Sequence, residues 1–108
     1  MRAATLLKAL ANENRLLILS ELLDGERCVN ELERVVGLSQ SALSQHLALL
    51  RRDDLVNTRR DGKTICYSLK GREAPIVLEM IYRMFSIEER ESDRADAAKR
   101  RGERRVIS

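Results

Sequence analysis

Tryptophan is absent from this 108-residue chain, and its only aromatic side chains are Tyr67, Tyr82 and Phe85. A core built without large rings is aliphatic, and leucine supplies most of it here. Such a thin interior gains from burying further apolar surface against a second subunit. The length suits one compact domain. Apolar runs long enough to cross a membrane are lacking. The N-terminal stretch from Met1 to Lys8 has neither the apolar region nor the cleavage site of a signal peptide, so the expectation is a cytoplasmic protein. One histidine, His46, and two cysteines, Cys28 and Cys66, are present, with no Cys-x-x-Cys. That inventory argues against an enzyme, including a thiol oxidoreductase: the histidine has no acid–base partner in the pattern, and no second histidine joins it in a metal site. No cofactor is expected. Charge of one sign is also scarce, 20 basic side chains against 17 acidic ones giving +3. This is too mild a balance to identify a nucleic-acid partner, so the placement of charge has to carry that argument.

The apolar spacing predicts a short helix over Ala3–Ala11 and a second over Glu13–Leu23, capped by Asn12 and stopped by Asp24-Gly25. A connector, Glu26–Val29, leads to a brief helix over Asn30–Val36. Gly37 permits a sharp turn, Leu38 plugs inward, and Ser39 caps a helix over Gln40–Arg52 with Leu43, Leu47 and Leu50 on one face. The period then changes. Val56–Arg60 and Thr64–Leu69 read as strands joined at Asp61-Gly62, a strong hairpin signal, with Ile65, Tyr67 and Leu69 on one face. A last helix is predicted over Pro75–Glu89, with Val77, Met80, Ile81, Met84 and Phe85 as its apolar stripe. From Glu91 onward the chain is charged and reads as a flexible tail. The expected fold is mainly α with a two-stranded wing, a winged helix-turn-helix of order α-α-α-α-β-β-α. Residues 1–90 form the domain and 91–108 the tail.

The helix after the turn is chemically unusual, because Ser39–Leu50 contains no Lys, Arg, Asp or Glu. Its outer face offers Gln40, Ser41, Ser44, Gln45 and His46. Gln pairs in bidentate fashion with adenine, and Ser donates to or accepts from base edges, so these five are the candidate base readers. Ser39, Arg51, Arg52, Arg59, Arg60 and Lys63 are the candidate contacts to the DNA backbone, the last three from the wing. Asp53, Asp54 and Asp61 dilute their charge. The competing class is a winged-helix protein-interaction module without DNA binding, against which the uncharged Gln/Ser face argues.

Ala9–Leu19 (ALANENRLLIL) resembles the second-helix signature of the ArsR/SmtB family of bacterial repressors. Gly37–Leu47 (GLSQSALSQHL) resembles that family's recognition segment, and Leu55-Val56 with Arg59–Leu69 resembles its wing. The resemblance covers roughly residues 3–89 and implies a homodimer formed by the first and last helices, binding a palindromic double-stranded operator as a repressor. The stripes Leu6, Leu7, Leu10 and Val77, Met80, Ile81, Met84 are consistent with that interface, and equally with a core within the chain. The metal-sensing patterns of the family are not matched: Cys28-Val29-Asn30 is half of the Cys-x-Cys pattern, and residues 71–90 contain no His. The nearest subgroup resembles the hemolysin-activator-like and sulfide- or persulfide-responsive regulators. It has one sensor cysteine in the second helix and one in the last, at the positions held here by Ser20 and Ser86. Serine forms no disulfide or polysulfide bridge, so that switch is absent; a natural branch without it and a Cys-to-Ser variant read alike. The inducer is not identified. Two readings stay open for Cys28 and Cys66, a redox-responsive dithiol or two small, half-buried apolar residues. The second is the simpler, since a reducing compartment favours free thiols over a structural disulfide.

Overall fold

The computed structural model describes residues 2–85. Ser86 and the charged segment beyond it, the predicted tail included, lie outside the described residues. Two helices, α1 (Ala3–Leu10) and α2 (Glu13–Glu21), form an opening pair joined at Asn12. The Asn12 carboxamide oxygen accepts the N–H groups of Asn14 and Arg15, both at 3.0 Å, satisfying two donors that the first turn of α2 leaves unpaired. Arg15 reaches back and donates to the carbonyls of Ala9 and Lys8 at 3.4 and 3.5 Å, so one side chain closes the end of α1. The predicted second helix is shorter than expected. Its last residues tighten into a 3₁₀ turn, Leu22–Asp24. Gly25 follows at φ 132, a region closed to side-chain-bearing residues and distinct from the left-handed helical stop expected there.

The connector contains an element the periodicity did not show. Arg27–Cys28 is a two-residue strand, β1, followed at once by α3 (Val29–Val36). Gly37 ends α3 at φ 67, and Ser39 opens α4 (Gln40–Arg52), its hydroxyl accepting the Ala42 N–H at 3.2 Å. A Schellman motif closes α4: the Asp54 N–H donates to the Arg51 carbonyl and the Leu55 N–H to the Leu50 carbonyl, both at 3.0 Å, with Asp54 in the left-handed region at φ 61. Strands β2 (Val56–Asp61) and β3 (Thr64–Leu69) then form the hairpin, with Gly62 (φ 65) and Lys63 as its two loop residues. The three strands form one antiparallel sheet in the order β1-β3-β2, so the wing hairpin is tied back to the segment before α3. Residues 73–85 are helical (α5), beginning two residues earlier than predicted, and Pro75 sits in the first turn.

Leucine dominates the interior. Ile18, Leu19, Leu32, Leu43, Leu50 and Leu55 have no exposed surface, and Leu22, Leu47 and Leu78 nearly none. Leu43, Leu47 and Leu50 therefore turn inward as their spacing predicts. The α5 stripe differs from expectation: Ala74 and Leu78 are the buried positions, Val77 and Ile81 are half-buried, and Met80, Met84 and Phe85 are exposed. The sheet also departs from simple alternation. Tyr67 is buried as expected, but Cys66, on the opposite face and paired with Cys28 of β1, is buried completely.

A candidate nucleic-acid interface

The inward leucines of α4 leave Gln40, Ser41, Ser44 and Gln45 exposed on the opposite side. Their spacing, one and four residues apart, makes one continuous helical face. Ala48 is exposed one turn beyond Ser44 and extends that face. It escapes a search for polar readers, although the i+4 spacing marks it. His46 is half-buried, and its Nδ1 atom is enclosed without a hydrogen-bond partner, which sets it apart from the four exposed residues. No acidic side chain lies in the first turn of α4, and Arg51 and Arg52 occupy its last. The Ser39 hydroxyl oxygen already accepts a bond from Ala42, leaving its own O–H as a donor.

The predicted backbone cations fall into two groups. Arg51, Arg60 and Lys63 are exposed and make no ion pair among the described residues. Arg52 pairs with Asp53 at 3.2 Å, and Asp54 is taken by Lys70 at 2.7 Å. Arg59 is held more firmly. Its Nε and Nη2 donate to the two carboxylate oxygens of Glu26 at 3.0 and 2.6 Å, a fork-to-fork pair across the sheet. That bond, and the guanidinium charge behind it, lowers the Glu26 pKa below the usual carboxylate range and raises that of Arg59. The sequence reading missed Glu26, which has no local pattern and meets its partner 33 residues away.

Cys28 and Cys66 are paired directly across β1 and β3, with Cα atoms 3.8 Å apart and their sulfurs joined in a disulfide. The two sulfurs are bonded to each other and not free, unlike in the simpler of the two readings. Only Cys28 is half-buried, Cys66 being fully enclosed, and the register places Cys66 between Cys28 on β1 and Arg59 on β2. A carboxylate oxygen of Asp61 and both sulfurs lie within 4.8 Å of one another. With both sulfurs consumed in the bond, the trio offers a metal ion no thiolate. Of the remaining singled-out positions, Ser20 is half-buried on α2, Leu6 and Leu10 are buried in the core, and Leu7 is 60% exposed.

Residues 12–58, from the α2 cap to the start of the wing, match the family model for bacterial regulatory proteins of the arsR family. The chain is 54% identical over 84 residues to the transcriptional activator HlyU of Vibrio cholerae, covering 78% of each protein. It belongs to the arsR family. A second arsR-family relative, the biofilm growth-associated repressor of Xylella fastidiosa, is 38% identical over 89 residues, 82% of this chain and 78% of that protein. The solved structure of V. cholerae HlyU superimposes with a TM-score of 0.76, covering 78% of this chain and 91% of that one. The winged helix-turn-helix architecture read from the sequence is thus that of the family. ArsR-family regulators act by binding DNA and are not enzymes. No helix among the described residues is long and apolar enough to cross a membrane.

Proposed function

We propose that this arsR-family regulator binds a palindromic operator as a cytoplasmic homodimer and represses transcription, placing one α4 per protomer in successive major grooves. The observation that carries this reading is the α4 face: an exposed row of uncharged hydrogen-bonding side chains, Gln40, Ser41, Ser44 and Gln45, on a helix whose opposite side is locked into the core. Its 13 residues span about 20 Å, enough to lie in a groove with the N-terminal half at the base edges. Ala48 suits the methyl group of a thymine. His46 supports the edge of this surface. Ser39, Arg51, Arg52, Arg60 and Lys63 contact phosphates and position the helix without reading sequence. Exposed Leu7, Met80 and Met84 supply apolar surface for the partner protomer. With Ser20 in place of a sensor cysteine, the dithiol response of the resembling subgroup has no first partner in α2.

The test is selection from a random duplex library, followed by titration of the enriched sequence. An inverted repeat with half-sites about 10 base pairs apart is expected. Gln45→Ala should relax preference at one position per half-site, costing about 1–3 kcal/mol there, whereas Arg60→Ala should weaken all sequences alike. Enrichment of no sequence, or an unchanged preference in Gln45→Ala, refutes the reading.

A further inference from the structure

The Cys28–Cys66 bond lies on the same face of the sheet as the Glu26–Arg59 ion pair. Cys28, Cys66 and Arg59 occupy one row across the three strands, and Glu26 stands two residues before Cys28. Residues in one row point to the same face, and Glu26, just before β1, meets Arg59 there through its two hydrogen bonds. Beyond the disulfide, β1 is held to β3 by only two residue pairs. The covalent bond therefore fixes the one segment that carries Glu26, and Glu26 in turn occupies the guanidinium fork of a wing arginine that would otherwise meet a phosphate.

We propose that the Cys28–Cys66 disulfide is a reversible redox site that sets the availability of Arg59 for DNA: oxidised, it clamps Glu26 onto Arg59; reduced, it frees the arginine. This rests on the DNA-binding reading above. The co-reactant is a dithiol. Its thiolate attacks the sulfur of Cys28, the half-buried residue of the two, since Cys66 is fully enclosed. The S–S bond breaks, the Cys66 sulfur leaves with the electron pair and takes up a proton, and a mixed disulfide with Cys28 remains. The second thiolate of the reductant attacks that intermediate, releasing Cys28 and closing the reductant's own disulfide, a two-electron exchange in total. A released Cys28 sulfur sits at the N-terminal end of α3, where the helix dipole favours negative charge. The Asp61 carboxylate, within 4.8 Å of both sulfurs, repels any thiolate formed there and helps the strands separate. β1 is then held to β3 by its short ladder alone, the Cys28 N–H bond to Glu31 tying it only to α3, and Glu26 moves away from Arg59.

The experiment uses the full chain, oxidised with glutathione disulfide or reduced with dithiothreitol, and a fluorescein-labelled mixed-sequence duplex of about 30 base pairs, long enough for two half-sites. Binding is followed by anisotropy between roughly 50 and 200 mM salt. Reduction is expected to tighten binding roughly three- to tenfold and to steepen the log–log salt slope by about 0.9 for each Arg59 released. Glu26→Gln, at an exposed position, should bind in both states as the reduced wild type does, and Arg59→Ala should show no redox difference. Equal affinity and slope in the two states, or a redox difference that survives Glu26→Gln, overturns the proposal alone. Failure to bind the duplex in either state overturns the DNA-binding reading and the proposal together.

Discussion

Reducing the Cys28–Cys66 bond should lower the melting temperature of the chain markedly, by an amount that follows from the length of the loop it closes. The two cysteines are 38 positions apart, so the bond removes the freedom of a 39-residue loop from the unfolded chain. The chain-entropy relation gives about 13 cal/mol/K for a loop of that length, or about 4 kcal/mol at 25 °C. A domain of roughly 100 residues unfolds with an entropy of about 0.2 kcal/mol/K, so the full effect corresponds to about 20 °C. Bridges commonly deliver less than the entropic value, which sets the expected range at about 10–20 °C. The assay is far-ultraviolet circular dichroism during heating, with and without dithiothreitol, the oxidation state being verified by alkylation and mass measurement. Cys28→Ser/Cys66→Ser should melt with the reduced wild type. A reduced chain that melts within about 3 °C of the oxidised one refutes the reasoning, because such a result means the loop is already constrained in the unfolded ensemble.

Leu43→Ala removes a side chain with no exposed surface from beneath the candidate reading face, and should cost about 3–5 kcal/mol in urea denaturation; a loss below about 1 kcal/mol would mean the site collapses freely. Gly37→Ala meets no steric obstacle but must hold φ 67, so it should destabilise by about 1 kcal/mol through backbone strain while leaving the native far-ultraviolet spectrum unchanged. Glu73 opens α5 with its carboxylate accepting backbone N–H groups, its own and that of Arg72, and these bonds lower its pKa. Its stabilisation is therefore complete above the ordinary carboxylate range and is lost as pH falls through the depressed value. The fall in urea midpoint on acidification should be smaller in Glu73→Gln than in wild type, and parallel curves would contradict the assignment.

Where a local signal existed, the fold was readable from the chain. Ser39 as a cap, Gly37 as a left-handed stop and leucines at i, i+4 and i+7 define α3, the turn and α4 nearly to the residue, and with them the outward face of Gln40, Ser41, Ser44 and Gln45. What escaped depends on distant partners. β1 is two residues long and is a strand only because β3 lies beside it. The Glu26–Arg59 pair joins residues far apart in the chain, and the disulfide depends on a register between β1 and β3 that no local pattern marks. On α5, three of the large apolar residues of the predicted stripe are not buried. Exposed Met80, Met84 and Phe85 against buried Ala74 and Leu78 is an arrangement that a hydrophobic stripe drawn for one chain cannot foresee. Asp54 likewise adopts a left-handed conformation where glycine is the usual choice, stabilised by the backbone bonds of the α4 stop.

That stop has a mechanical consequence. Only three residues, Asp53, Asp54 and Leu55, separate the end of α4 from the wing, and Leu55 is wholly enclosed while its N–H donates to the Leu50 carbonyl. The reading helix and the hairpin beside it are thereby geared together with almost no play. On a duplex, a rotation of one carries the other along the groove, so the footprint of a single chain is of fixed length and shape. In the proposed homodimer, adjustment to different operators is then made in the distance between two such heads.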